Sequence, residues 1–266
     1  KNLAVSQASW SMQRFGRATR RVLSQAKPSA APSESKVVRK LKRDLAAAHQ
    51  LTAWYKMDDL VWNHISARIP EGEGDGYLIT PGHMMYEEIQ PEDILHSSEN
   101  VTANVIHGAI YKSRSEIQAI MHIHTPAVCT VSTLPQGLQL LTQDAAQFYD
   151  SVAYHPWEGI SEDFAEQERI SKSIGPSAMT LIMRNHGACT LGRSIGEAWV
   201  RAYYLERVAQ IQVSALANPD GVLAPDESVL RHAAKQYQGE YLPGLHEWPA
   251  LVRMLERKGT LKPLDA

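Results

Sequence analysis

A nine-residue stretch, residues 117–125 with the sequence IQAIMHIHT, most constrains what this chain can fold into. It is a short apolar run that ends in two histidines, as expected of a β-strand. Successive side chains of a strand point to opposite faces of the sheet, so His122 and His124 point the same way. Two such imidazoles can occupy adjacent corners of a tetrahedral metal site. The alternative is a strand with two half-buried, hydrogen-bonded structural histidines.

The composition narrows the classes of protein that remain. The 266 residues are 44% hydrophobic and 21% charged, as in an ordinary globular protein of one large or two small domains. The sequence contains no apolar run of the roughly 18 residues that a membrane span needs. A net charge of -2 gives no global field for nucleic acid or an anionic membrane. The two cysteines, Cys129 and Cys189, form no C-x-x-C pair, which fits a reducing compartment and argues against cysteine-based zinc or redox chemistry.

The first 35 residues differ from the rest of the chain. They are rich in arginine and serine, and no acidic residue precedes Glu34. After Lys1, the basic residues are Arg14, Arg17, Arg20, Arg21 and Lys27. This pattern predicts a transit-like segment and hence a mitochondrial or other organellar location, and the start at lysine indicates processing or truncation. The alternative is a basic disordered arm on a cytoplasmic protein. We therefore expect an arm at 1–35 and a folded domain at 36–266.

Strands and helices are expected to alternate along residues 36–266. Apolar spacing and turn residues predict helices at 35–56, 101–112, 126–133, 161–174, 194–216, 226–238 and 249–258. The same signals predict strands at 60–69, 77–80, 117–125, 151–155, 178–184 and 188–191. This alternation predicts a layered α/β domain in which helices pack against a central sheet.

A third histidine strengthens the metal hypothesis. His186 lies between Asn185 and Gly187, where the predicted strand 178–184 runs into a loop, and functional residues often lie at such strand ends. Three imidazoles with an open fourth position are typical of catalytic zinc and of other borderline divalent ions. Spacing alone leaves open whether these strand ends meet.

Several motifs together resemble the class II aldolase/adducin domain family, and in particular its adducin-like branch. They are HIHTP at 122–126, YKSR at 111–114, RNHG at 184–187, VWNHISAR at 61–68, LITP at 78–81 and VAYHPWEGI at 152–160. The resemblance covers residues 40–258. It implies a three-layer α/β/α sandwich with a central, mostly antiparallel sheet.

The resemblance also implies a site and an assembly. Its metal ligands are His122, His124 and His186, and the expected cofactor is a divalent ion, zinc first, with iron or manganese as alternatives. Family members are often homotetramers with active sites at subunit interfaces. A basic N-terminal arm on such a chain would also suit incorporation into a larger protein complex.

One departure from the family pattern weighs against aldolase activity. The aldolases carry an acid/base glutamate eight residues before the tyrosine of their Y-x-x-R motif, and Ala103 stands there in this chain. Loss of a general base costs about a hundred- to ten-thousand-fold in rate. Glu99 and Glu116 are the candidate replacements. The sequence therefore leaves two hypotheses: a divergent metal-dependent lyase, of aldolase or decarboxylase type, or a non-catalytic accessory or structural subunit.

Other histidines lie on motifs near the expected site. His107 shares a predicted helix face with Ala103 and is the candidate catalytic residue, with a buried, backbone-bonded histidine as the alternative. His64 and His155 are candidates for a fourth ligand or for lining the pocket, and a structural role is the alternative for both.

Overall fold

A single mixed sheet forms the centre of the computed structural model, which describes residues 34–96 and 100–262. Its strands are β1 (His64–Arg68), β2 (Tyr77–Ile79), β3 (Ala119–Ile123), β4 (Val152–His155), β5 (Thr180–Met183) and β6 (Gly187–Gly192). Their order across the sheet is β2-β1-β3-β6-β5-β4. All neighbouring strands are antiparallel except β4 and β5, which are parallel. The expected mostly antiparallel sheet is confirmed.

Seven α-helices accompany this sheet in the described ranges. They are α1 (Lys36–Trp54), α2 (Val101–Ser113), α3 (Pro126–Thr133), α4 (Glu166–Ile174), α5 (Ile195–Leu216), α6 (Glu227–Tyr237) and α7 (Glu247–Lys258). Short polar side chains cap three of them, as is typical of helix N-termini. Ser35 accepts a hydrogen bond from the Val38 amide, Asn100 from that of Ala103, and Ser194 from that of Glu197.

The sheet is covered by helices on both faces because its strands are apolar on both sides. On β3, Met121 and Ile123 pack into the larger apolar cluster, which includes buried residues of α1, α3 and α5. Ile120, which precedes Met121 and points to the opposite face, packs instead with buried residues of α2 and α4. The three-layer α/β/α sandwich is thereby confirmed.

Most predicted boundaries differ from the observed ones by one or two residues, and the starts of one helix and one strand differ by more. The helix predicted at 161–174 begins only at Glu166, because residues 161–165 form turns in which the Asp163 carboxylate accepts the Ala165 amide. The strand predicted at 60–69 begins only at His64, because Leu60 has a positive φ of 50° that no strand residue adopts. The last helix, predicted from residue 249, begins two residues earlier, at Glu247.

The predicted N-terminal arm, apart from Glu34 and Ser35, lies outside the described residues. Its division from the domain therefore stays a prediction. Among the helices of the described ranges, none combines the length and apolar character that crossing a bilayer requires.

Candidate metal centre

Two neighbouring strand ends bring the three predicted ligands together. His122 lies within β3, directly opposite Cys189 of β6, and His124 follows β3 by one residue. His186 belongs to the tight connection between β5 and β6. Gly187 permits this approach, because a Cβ atom there would collide with the carbonyl oxygen of Ile123 and crowd the ring of His124.

The three imidazoles face one another through the same atom. Nε2 of His124 lies 2.8 Å from Nε2 of His122 and 3.0 Å from Nε2 of His186. Zn–N bonds of 2.0–2.1 Å place the nitrogens of a tetrahedral site about 3.4 Å apart, so an ion fits after the rings separate by a few tenths of an ångström. Among the described residues, these three form the group of possible metal ligands, with their ligating atoms within 4.8 Å of one another.

Neighbouring groups set which nitrogen of each ring is free to bind a metal. Nδ1 of His122 lies 3.1 Å from the carbonyl oxygen of Ala188, which can only accept, so Nδ1 carries the proton and donates it. Nδ1 of His124 lies 3.1 Å from the Asp59 carboxylate and donates in the same way. Nε2 of both rings then presents a lone pair toward the centre. Lone pairs that converge at these distances repel unless a cation lies between them, so this donor set fits a divalent ion.

Burial keeps two of the ligands, His122 and His186, in the neutral form that binds metals. Desolvation lowers the pKa of His122 well below its usual range, with further lowering by His124 and the other nearby histidines. Burial, with the neighbouring His124, also lowers the pKa of His186 to about 4. These two imidazoles are therefore neutral at pH 7. Nδ1 of His186 is buried without a hydrogen-bond partner among the described residues.

A second group of polar side chains lies behind the three-histidine cluster on the same face of the sheet. Nε2 of His107 is 2.9 Å from Nδ1 of His64, and Nδ1 of His107 is 2.6 Å from Oγ of Ser66. The same Ser66 oxygen is 2.9 Å from the hydroxyl of Tyr111. Both nitrogens of His107 are thus bonded to side chains rather than to backbone. Its catalytic assignment stays a prediction.

The remaining candidate histidines lie in different places. The ring of His64 stands 4.8 Å, centroid to centroid, from that of His122, its cross-strand neighbour, and so lines the cluster. His155 ends β4, where Nδ1 lies 2.9 Å from the Ser173 hydroxyl and Nε2 lies 3.4 Å from the Glu166 carboxylate. The structure does not bring His155 into the group of possible ligands.

Among the residues that the structure describes, no glutamate joins this group of ligands in place of the aldolase glutamate that is absent at position 103. Ala103 lies in the first turn of α2, fully buried and one turn before His107. Glu116 is held by Arg114, whose Nε lies 2.5 Å from it and lowers its pKa, at the other end of β3. Glu99 lies outside the described residues. The carboxylate that does contact the cluster is Asp59, which sequence reasoning missed, because nothing local signals a contact across 65 positions.

The fold and the site together define a three-layer α/β protein with a histidine cluster at one end of its sheet. Residues 43–213 match the sequence profile of a family described as the class II aldolase and adducin N-terminal domain. The chain belongs to this class II aldolase/adducin family.

Individual relatives and structures agree with this assignment. A protein of Caulobacter vibrioides, provisionally named an aldolase class 2 protein, is 33% identical over 81% of this chain and 88% of its own length. Mouse alpha-adducin is 32% identical over 82% of this chain, which spans only 33% of the adducin. The crystal structure of an aldolase II superfamily protein from Pseudomonas syringae superposes with a TM-score of 0.77 at 31% identity, covering 87% of this chain and 96% of the other.

A solved enzyme shares the fold at lower identity. The L-fuculose 1-phosphate aldolase of Glaciozyma antarctica superposes with a TM-score of 0.75 at 24% identity, covering 90% of this chain and 97% of that one. At this identity the likeness concerns the fold alone.

Proposed function

We propose that the chain binds one divalent metal ion through Nε2 of His122, His124 and His186. The observation that carries this proposal is the convergence of three imidazole nitrogens, two of which have their protons fixed on the opposite nitrogen. Zinc is the first expectation, since imidazole ligands with an open position suit it well, and iron or manganese are the alternatives.

We further propose that the site supports a metal-dependent lyase reaction of the decarboxylase type rather than aldol cleavage. A divalent ion held there supplies Lewis-acid polarisation of a substrate carbonyl oxygen. The chain itself offers no carboxylate at position 103 to take a proton from a substrate hydroxyl. When a 3-oxo carboxylate loses carbon dioxide, the electron pair of the breaking C–C bond passes toward the carbonyl to give an enolate, which then takes a proton from water. No base is needed to start this reaction.

The test compares two reactions on one metal-loaded protein. Protein reconstituted with zinc, manganese or iron(II) is assayed for carbon dioxide release from oxaloacetate and for cleavage of L-fuculose 1-phosphate. We expect the wild type to release carbon dioxide from oxaloacetate faster than the His122→Ala variant loaded with the same metal. We expect no cleavage of L-fuculose 1-phosphate. Cleavage of the sugar phosphate would contradict the proposed loss of the aldolase step. Equal oxaloacetate rates in both proteins would overturn the decarboxylase assignment.

A non-catalytic role is the second candidate, and the alanine at position 103 together with the similarity to alpha-adducin favours it. In that case the chain serves as an accessory or structural subunit of a larger assembly in mitochondria or another organelle. The basic N-terminal arm would suit such a role. Native gel electrophoresis of an extract separates the two cases. Co-migration with a much larger complex supports the subunit, whereas a free homotetramer supports the enzyme.

A further inference from the structure

A cavity of about 600 Å³ lies at the end of the sheet opposite the three-histidine cluster. Arg114 and Met179, which line it, precede β3 and β5, and Arg193 follows β6. The cluster lies at the other ends of the same strands, since His124 follows β3 and His186 precedes β6. Helix α6 forms a further wall of this cavity. It is therefore separate from the proposed metal centre.

The lining of this cavity is rich in cations. Its basic residues are Arg114, Arg193, Arg201, Arg231 and Lys235, and its acidic residues are Glu116, Asp150 and Glu197. Arg114 is fully engaged by Glu116 and by the carbonyl oxygens of Gly175 and Ala178. It serves as scaffold, which leaves four other cations in the lining, two of them already paired with Glu197 or Glu227.

Two of these cations compete for one carboxylate. Nη2 of Arg201 lies 3.0 Å from Oε1 of Glu197, and Nη1 of Arg193 lies 3.9 Å from the same oxygen. Arg201 is almost fully buried, whereas the side chain of Arg193 is 62% exposed. Burial lowers the pKa of Arg201, Glu197 opposes this shift, and the charge of Arg193 adds a smaller lowering. One carboxylate thus serves two guanidinium groups, and an added anion would relieve their repulsion.

The α6 wall adds two more cations. Arg231 and Lys235 are four residues apart on one face of the helix, an arrangement of like charges that costs stability by itself. Arg231 pairs with Glu227, which does not line the cavity. No acidic side chain in the described ranges forms an ion pair with Lys235. The lining carboxylate of Asp150 has no ion pair among those residues and offsets one of these charges, so the five lining cations exceed the three lining carboxylates and Glu227 by one.

From this arrangement we propose that the cavity binds a small, multiply charged anion that carries phosphate or carboxylate groups. Its volume is within the range of sites for small organic ligands. Guanidinium groups bind both kinds of oxyanion through paired N–H donors, and the lysine supplies a point charge. The rings of Tyr149 and Tyr237 line the same space and leave room for the body of a ligand larger than a bare ion.

Calorimetric titration of the full chain with pyrophosphate and, separately, with citrate tests this proposal. The double variant Arg193→Ala/Lys235→Ala removes two exposed cations, and Arg169→Ala removes an exposed arginine outside the cavity. We expect the wild type and the Arg169 variant to bind alike, and the double variant to bind at least about tenfold more weakly. Binding of pyrophosphate alone indicates a phosphate-bearing ligand, and binding of citrate alone a polycarboxylate.

The same titration excludes binding at the metal centre. Both probes chelate metals, so the His186→Ala variant is titrated beside the wild type and should bind with unchanged strength. The proposal is overturned if the wild type binds neither probe, if the double variant binds like the wild type, or if the His186 variant loses binding. Circular dichroism of each variant verifies that the fold is retained.

Discussion

Two groups of histidines share one end and one face of the sheet, and their contacts differ in kind. In the three-histidine cluster, Nε2 of His124 faces Nε2 of two other rings, while the protons are fixed on the outer nitrogens. In the neighbouring network, both nitrogens of His107 have side-chain partners, His64 and Ser66. Both ring nitrogens of His107 are thus satisfied within the protein, whereas the facing nitrogens of the cluster are satisfied only when a cation lies between them. Variants of the two groups should therefore respond differently, in metal affinity for the cluster and in stability for the network.

Removing one ligand tests the cluster most severely. His186→Ala is expected to weaken binding of zinc more than about a hundredfold, because an ion held by three imidazoles loses one of its protein bonds. Competition with a chromogenic chelator measures the affinity. His232→Ala, which removes an exposed histidine of α6, is the matched control and should leave the affinity unchanged. An unchanged affinity in the His186 variant would place the metal elsewhere.

Removing the centre of the network is expected to change stability instead of metal content. His107→Ala leaves a cavity in the core, removes the partner of Nδ1 of His64 and leaves Ser66 with Tyr111 alone, which costs about 2–3 kcal/mol in the free energy of unfolding. Urea denaturation measures this loss. The folded variant should retain the wild-type metal stoichiometry. If it loses the metal as well, the network and the cluster act as one unit and the comparison fails.

Removing the charge of Asp59, whose carboxylate contacts His124, is expected to lower the metal affinity by an intermediate amount. Asp59→Asn removes the charge that orients Nδ1 of that ring, and changes of this kind lower metal affinity by about 10–100-fold. The adjacent Asp58→Asn is the control, since Asp58 makes no contact with the cluster in the described structure. Equal affinities in the two variants would show that Asp59 does not support the ligand.

Acid is expected to lower the free energy of unfolding gradually, because buried neutral histidines outside the metal cluster take up protons more readily in the unfolded chain. His49 is a fully buried residue of α1 whose ring nitrogens contact the Leu45 carbonyl and the Thr80 hydroxyl. Burial lowers the pKa of His107 to about 3 and that of His49 to about 4, below the value of about 6.5 that both have when unfolded. The unfolded chain therefore gains their protons first. Stability is full above pH 6.5 and falls toward pH 4 by about 1 kcal/mol per pH unit for each histidine.

Urea denaturation of the His186→Ala variant at pH 7.5, 6 and 5 measures this effect without the contribution of a bound metal. Stability that stays constant from pH 7.5 to 5 would mean that these histidines are not buried in their neutral form.

Much of the site could be predicted because it depends on local pattern. Strand alternation placed His122 and His124 on one face, and a strand end placed His186 in a loop; the fold then brings these positions together. Contacts between distant elements carry no local signal. The approach of Asp59 to His124 depends on the packing of the segment before β1 against the end of β3, and the pairing of His107 with Ser66 depends on how α2 lies on the sheet.

Helix and strand interiors were likewise predicted better than their ends. The helix expected from 161 begins at Glu166, because side-chain bonds of the preceding turns replace the first helical turn. Helix α5 begins where expected, because Ser194 supplies a strong local cap. The basic segment at 1–35 depends on composition alone, and its proposed role in targeting or assembly stays a prediction.

The central claim is that the three-histidine cluster is a metal site even though the aldolase glutamate is replaced by Ala103. Inductively coupled plasma mass spectrometry of the purified chain tests it most directly, after growth with zinc, iron and manganese and dialysis without chelator. We predict about one divalent ion per chain, in agreement with three imidazoles around one open position. A purified, folded protein that contains no stoichiometric zinc, iron or manganese would contradict the account.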